Sequence, residues 1–453
     1  MSYLCTLLCL LDIQYMQMDD EDVDLDSIAS AHYIIATPGI KPSHRLYIDY
    51  ISLILSELSF LWYLRSLGYF PRWWTNIKTI GITGTNGKST TTWMLYQMLC
   101  NIQQSHCDFF SPHFWWDYEA HNKNVHIHIG GNFDKPMSGI IHDIISKSHA
   151  TDYHIIVLEV SSFMLWRLQD FHFDIGIFLN LARDHQDRHK DMSDYLLAKA
   201  NILSHADIAI TSQSLANDLS HVQYHNNLWW KIIRPWVWSS LKKIISWLFG
   251  RDKSSSGHFL MYKSYEDLNN SGFIWEHNKL NAGAVHLVLT QLIWSYDESL
   301  WSSLLPIPHR LQPLDPIHGI TIIDDAICTS AHALLTAINT QTDPFILICG
   351  WYDAGDDYTV LKKILIEKKP LIIVYGHIAP VLYAISKQSE LNCHIVPTIE
   401  EAMDLAFSFA KKFFLTTILY SPWAKSFDQF DNVYHRIATF EDVIAKMRQR
   451  ILS

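Results

Sequence analysis

No two cysteines in this chain stand at Cys-x-x-Cys spacing, and the seven present (Cys5, Cys9, Cys100, Cys107, Cys328, Cys349 and Cys393) are scattered and odd in number. That argues against a disulfide framework or a zinc site and fits the reduced thiols of a cytoplasmic protein. An excess of positive charge is also missing: 35 Lys and Arg face 46 Asp and Glu, for a net charge of −11. Broad nucleic-acid binding needs basic surface to displace counterions from phosphates, so no nucleic-acid partner is expected. The 25 histidines soften the charge only at acid pH. The apolar stretch from Tyr3 to Leu11 is too short to span a bilayer, and no cationic region precedes it. It reads as a buried strand or helix start, and no transmembrane segment is expected. There is no internal repeat.

What remains is the composition of a folded protein, 49% hydrophobic and 18% charged over 453 residues, enough for two to four domains. The first part holds an acidic run, Asp19 to Asp26, an extended apolar segment, His32 to Thr37, and a turn at Pro38-Gly39. From Thr79 the pattern becomes regular. Short β-rich runs (Thr79 to Thr83, His154 to Leu158, Asp174 to Leu179, Asp207 to Thr211) alternate with helical stretches such as Lys88 to Leu99. That grammar implies a mostly parallel sheet covered on both faces. A tryptophan-rich segment, residues 222–257, interrupts it and reads as a packed insertion rather than a membrane-surface or partner helix. After Pro308 the alternation restarts, with strands expected at Ile320 to Ile323, Phe345 to Cys349, Leu371 to Tyr375 and Thr416 to Tyr420. This last part reads as a separate doubly wound domain.

Chemistry concentrates at the carboxyl ends of the first strands. Gly84, Thr85, Asn86, Gly87, Lys88, Ser89 and Thr90 follow a strand and open a helix. Glycines let backbone N–H groups converge on a phosphate, and the helix N-terminus adds partial positive charge. Lys88 would reach the outer phosphates of ATP and the Ser89 hydroxyl a Mg²⁺ ion. The loop is shorter than the usual G-x-x-x-x-G-K-[ST], since only Thr85 and Asn86 separate its glycines. Glu159 ends a strand where an open α/β sheet meets its ligand, placing a carboxylate for Mg²⁺. After the next strand, His185 could ligate metal, with Asp184 and Asp187 orienting it. Lys199 sits in a helical stretch and, on local grounds alone, is a surface cation.

Taken in order, T-G-T-N-G-K-S-T, G-G-N, L-E-V-S-S-F, N-x-x-x-D-H-x-D-R, A-K, H-N-x-x-N, P-H-R and the closing Ser426-Phe427-Asp428-Gln429-Phe430 resemble the Mur ligases of peptidoglycan synthesis, from about residue 30 to the end. Within that family the branch that adds D-glutamate is the most similar. The resemblance implies a three-domain α/β architecture: a shortened UDP-substrate domain (1–76), a central P-loop ATPase (77–307) and a C-terminal Rossmann-like domain (308–453). It implies ATP, two Mg²⁺ ions held by Ser89, Glu159, His185 and Lys199, and carbamylation of Lys199 by CO₂. Asn278, Asn281, Arg310 and Asp325 correspond to nucleotide contacts. Thr37 and Asn132 correspond to contacts of a UDP-muramoyl substrate, and Thr329, Ser426 and Phe427 to the surroundings of the incoming amino acid. A cytoplasmic monomer is expected.

Two departures fall in the amino-acid pocket. The family's N-D-S-K-A-T reads Asp324-Asp325-Ala326-Ile327-Cys328-Thr329, and its G-G-x-D-K-G reads Gly350-Trp351-Tyr352-Asp353-Ala354-Gly355, so two lysines have become Ile327 and Ala354. The family's leading strand and glycine-rich turn have no counterpart in the apolar, acidic N-terminal segment. Two alternatives stay open at this point: another Mur-like amide ligase such as folylpolyglutamate synthase, or a decayed nucleotide-binding partner in wall assembly.

Overall fold

A computed structural model describes residues 2–17, 31–36, 40, 44–70, 74–105, 124–132, 135–149, 151–182, 189–216, 258–265, 277–293, 295–328, 331–350, 359–377, 379–423, 430 and 433–452. The chain divides into two compact units, Met1–Leu305 and Pro306–Ser453.

The first unit is built on a six-stranded parallel sheet: β3 (Ile77–Thr83), β4 (Val125–Gly131), β5 (Tyr153–Glu159), β6 (Phe173–Phe178), β7 (Ala206–Ser212) and β8 (His258–Tyr262), in the order β4-β5-β3-β6-β7-β8. All seven residues of β5 are buried, because a parallel sheet is covered on both faces. Side chains alternate between two cores. Ile156 and Leu158 join one cluster, and Ile155 and Val157 join the other with Ile80 and Ile82. Around the sheet lie α1 (Ser2–Leu10), α2 (Arg45–Asp49), α3 (Glu57–Ser66), α4 (Lys88–Gln104), α5 (Met137–Lys147), α6 (Ser162–Trp166), α7 (Met192–Ser204) and α8 (His277–Leu292). The short pair β1 (Ile34–Ile35) and β2 (Ile54–Leu55) stands apart as a parallel two-stranded ladder. The apolar N-terminal run is thus a helix, and its Leu4, Leu7 and Leu8 share a core with Leu58 and Leu61 of α3 and Ile140 and Ile144 of α5. Strand order reverses around β3, which puts the carboxyl ends of β3, β5 and β6 at one crevice.

The second unit carries the sheet β13-β12-β11-β14-β10-β9, formed by β9 (Gln312–Pro313), β10 (Thr321–Asp324), β11 (Ile346–Gly350), β12 (Leu371–Tyr375), β13 (Cys393–Ile395) and β14 (Thr417–Trp423). Only β9 runs antiparallel to its neighbour among these pairs. Its helices are α9 (Ala331–Asn339), α10 (Thr359–Lys368), α11 (Ala379–Gln388), α12 (Ile399–Phe413) and α13 (Val433–Leu452). In α12 the buried residues Ile399, Ala402, Met403, Ala406, Phe407 and Ala410 recur at helical spacing and form one stripe against the sheet. Thr398 caps it, accepting from the Glu401 N–H at 3.2 Å, and Phe414 closes it at φ 57°. Losing such a cap costs about 1 kcal/mol.

Three histidines meet across β4 and β5. His128 Nε2 lies 3.0 Å from His154 Nδ1, the His126 ring stacks 5.2 Å from His154, and His126 Nε2 is 3.3 Å from the Asp152 carboxylate. Burial, then the neighbouring imidazoles, push His128 and His154 down to about 4. Their folded pKa therefore lies below the unfolded value of 6.5. Nothing is lost while both states are neutral, and stability falls as pH drops from 6.5 towards 4, where only the unfolded chain binds these protons. Urea unfolding should show the first unit losing up to roughly 2 kcal/mol per histidine by about pH 5. His154→Gln should flatten that slope, and an unchanged slope would remove the assignment.

Candidate active site

The turn from β3 into α4 is the phosphate loop expected from the sequence. Gly87 sits at φ +77°, and any side chain there would collide with Asn281, so glycine is required twice over. The loop is held from the segment after β6. Asn180 O accepts from Thr85 N at 3.0 Å, Asn180 Oδ1 accepts from Asn86 N at 2.9 Å, and Asn180 Nδ2 donates to Asn86 O at 3.1 Å. Thr85 Oγ1 lies 3.3 Å from the Tyr195 hydroxyl and accepts from Ala182 N at 2.9 Å. Lys88, first residue of α4, donates to Thr85 O at 2.9 Å, over the loop it serves. Ser89 is half-buried and Thr90 buried beside it. From α8, Asn281 Nδ2 donates to Asn278 Oδ1 at 3.1 Å, so the expected nucleotide asparagines form one buried pair against the loop.

Glu159 closes β5 and is buried. Its Oε1 accepts from Asn132 Nδ2 at 2.8 Å, while Oε2 is buried and has no hydrogen-bond partner among the described residues. A buried carboxylate oxygen without a donor costs about 1–3 kcal/mol, which a hard divalent cation would offset, so the residues present fit one. Gly131 at φ +86° brings β4 against the Glu159 backbone, whose carbonyl accepts from Asn132 N at 2.8 Å. Lys199 departs from the local reading of a surface cation. It is 1% exposed, points inward from α7, and donates to Gly84 O at 2.6 Å. Its Nζ stands 4.8 Å from the Tyr195 ring. Lys88 and Lys199 therefore both bond to carbonyls of the loop, and Glu159 ends β5 in register with Ile82, next to the last residue of β3 from which the loop departs.

Beside them opens a cavity of about 200 Å³, lined by Asn132, Glu57, Ser138, Phe163, Arg167 and His189 among others. Its buried histidine belongs to a chain of contacts: His189 Nε2 lies 3.0 Å from Ser162 Oγ, and Nδ1 lies 3.3 Å from Asp194. The His189 ring stacks on Phe163 at 5.7 Å and approaches Tyr195 at 5.0 Å, linking the cavity wall to the residue that touches Thr85. Sequence reasoning missed Arg167, His189 and Glu57. Their neighbours are remote in the chain, and spacing gives no sign of them.

In the second unit, Asp325 follows β10 and is buried, accepting from Ser421 Oγ at 2.7 Å and from Leu311 N at 3.3 Å. Burial raises its carboxyl to about 7, opposed by the Ser421 hydrogen bond and the nearby Arg310 charge. Asp324 beside it holds His309 at 2.8 Å, and that bond raises the histidine's pKa. Ile327 donates its N–H to His309 O at 3.1 Å.

Residues 82–284 match the Mur ligase middle domain. The chain is 27% identical, over 448 residues, to the UDP-N-acetylmuramoylalanine--D-glutamate ligase of Hydrogenobaculum sp. (strain Y04AAS1), covering 95% of this chain and 93% of the relative. It is 29% identical to the ligase of the same name from Aquifex aeolicus (strain VF5), over 91% of this chain and 87% of that one. The chain therefore contains a Mur ligase middle domain and, over most of its length, is similar to D-glutamate ligases of the Mur family. The fold agrees. It superposes on the Thermotoga maritima MurF ligase solved with ADP at a TM-score of 0.53, with 16% identity over 87% of this chain and 86% of that one. The bifunctional folylpolyglutamate synthase/dihydrofolate synthase of Yersinia pestis CO92 gives 0.52, with 13% identity over 90% and 100%. The α/β architecture of a Mur ligase, with a central P-loop ATPase and a C-terminal Rossmann-like domain, is thus the one present.

Several of the residues singled out from sequence lie outside the described residues: Thr37, His185 with Asp184 and Asp187, Thr329, Ala354, Ser426 and Phe427, as well as the tryptophan-rich segment and the acidic run. Among the described residues, no helix is long and apolar enough to cross a membrane.

Proposed function

We propose that this chain is an ATP-dependent acid–amino-acid ligase that joins D-glutamate to UDP-N-acetylmuramoyl-L-alanine in peptidoglycan precursor synthesis. The observation that carries the reading is that Lys88 and the buried Lys199 bond to the phosphate loop while the buried Glu159, with its unsatisfied oxygen, ends the strand paired with the one that leads into it. The likeness to named D-glutamate ligases over nine-tenths of the chain supports the substrate class.

In this reading a carboxylate oxygen of the muramoyl-alanine attacks the terminal phosphorus of ATP, and the bond to the ADP oxygen breaks. The amine of D-glutamate then adds to the acyl carbon, the amide forms, and phosphate departs with the carboxylate's oxygen. Mg²⁺, when bound, neutralises the charge between the two anions; Ser89, Glu159, His185 and a carbamylated Lys199 would hold two such ions. Gly84 to Thr90 cradle the phosphates, with Lys88 as the fixed cation and Asn278 and Asn281 closing the loop from α8. Arg310 and Asp325 are assigned to the nucleotide, Thr37 and Asn132 to the muramoyl substrate, and Thr329, Ser426 and Phe427 to the amino acid. The assigned regions are 1–76 for the UDP substrate, 77–307 for ATP and 308–453 for the amino acid, in a cytoplasmic monomer.

Phosphate release from ATP should require both UDP-muramoyl-alanine and an amino acid, with D-glutamate preferred in a screen of D- and L-forms. Release independent of the muramoyl substrate would defeat the reading. Because Ala354 and Ile327 stand where the family carries lysines, the apparent KM for D-glutamate should be high. Ala354→Lys should lower it by about ten-fold, the worth of about 1.4 kcal/mol. Lys425, next to Ser426 in the sequence, is the nearest cation that could compensate, so tight D-glutamate binding in the unaltered chain, unaffected by Lys425→Ala, would contradict this view of the pocket.

A further inference from the structure

The cavity beside Asn132 is walled mainly by apolar and aromatic side chains, yet it contains one guanidinium that none of the family's motifs accounts for. Arg167 is 6% exposed. Its guanidinium carbon lies 4.4 Å from the Trp166 ring centroid and 4.9 Å from that of Tyr47, and those two rings are themselves 5.6 Å apart. Arg167 follows α6 directly, and its carbonyl accepts from Ser59 Oγ at 3.4 Å, which ties its backbone to α3. The acidic member of the same wall, Glu57, accepts from the Ser138 N–H at 2.7 Å, at the start of α5.

Resting on the ligase reading above, we infer that Arg167 is a specificity-determining residue that recognises the diphosphate of the nucleotide-linked substrate. A guanidinium is planar, permanently charged and weakly hydrated, so it tolerates burial better than an ammonium. Rings packed against it fix its plane, and the planar fork of a guanidinium matches paired phosphate oxygens. The same cavity includes Asn132, which holds the Glu159 carboxylate. A ligand seated there thus touches both the metal-ligand carboxylate's partner and the buried cation. The reacting carboxylate belongs beside Glu159, which leaves the diphosphate as the anion for Arg167.

The test is equilibrium binding of UDP and of uridine to the full-length protein, free of any turnover. Arg167→Met keeps the apolar stem and removes charge and fork. It should weaken UDP binding by about 10- to 100-fold, leave uridine binding unchanged, and leave ATP affinity and the thermal midpoint as in wild type. Arg167→Lys keeps the charge and loses the fork, and about a ten-fold loss for UDP is expected; it carries the test if the methionine variant does not fold. Wild-type UDP affinity in the folded variants overturns the assignment, and so does an equal loss for UDP and uridine, which would reduce Arg167 to packing. A wild-type protein that binds no UDP would instead defeat the ligase reading itself, so the two failures are distinguishable.

Discussion

Lys88→Ala should reduce ATP turnover by on the order of 10³-fold in a protein that still folds. Lys88 opens α4, and its ammonium lies over the loop carbonyl of Thr85, at the point where helix and turn direct their N–H groups. A terminal phosphoryl group in transfer carries its charge on peripheral oxygens, so a fixed cation there acts in the transition state more than in the ground state. The loss should therefore fall on kcat more than on the KM for ATP. The fold has little stake in this side chain, because the loop is tied down by Asn180 and Thr85, with Asn281 packed against Gly87. Near-normal turnover in a well-folded variant would remove the core of the account.

Lys199→Ala should be nearly as damaging, with a loss on the order of 10²- to 10³-fold. Here rescue is the telling observation. A carbamylated lysine presents anionic oxygens, and acetate or formate diffusing into the space left by the shortened side chain should restore part of the activity. Simple removal of a structural lysine would not be repaired that way. The burial of Lys199, its bond to the Gly84 carbonyl and the nearby Tyr195 ring place its terminal atom at the loop. A fully active variant, or a lysine shown to be unmodified with metals and substrates bound, would contradict the assignment.

The strands were the most legible part of the chain. Leu371–Tyr375 is found at the residues expected, β3, β5 and β7 extend the expected runs by a residue or two, and β6 lies one residue earlier than expected, because apolar, β-branched runs between turns have few other homes. β4 escaped notice because Val125-His126-Ile127-His128-Ile129 alternates apolar residues with imidazoles, and a sequence cannot show that His128 packs against His154 of the next strand. Lys199 was misread for a related reason. A lysine is ordinarily a surface residue, yet Tyr195, Leu196, Ala198, Ala200, Ile202 and Leu203 bury α7 almost all round, and that pattern was the available signal. Arg167 and His189 had no signal, since Tyr47 and Ser162 reach them only through the fold.

The central claim, activation of a carboxylate by phosphoryl transfer, is tested most directly by following oxygen. UDP-muramoyl-alanine bearing heavy oxygen in its carboxylate, incubated with ATP, Mg²⁺ and D-glutamate, should yield an amide product extended by one glutamyl residue. The account predicts that each phosphate released carries one heavy oxygen taken from that carboxylate. Unlabelled phosphate, or ADP formed with no amide product, would contradict it.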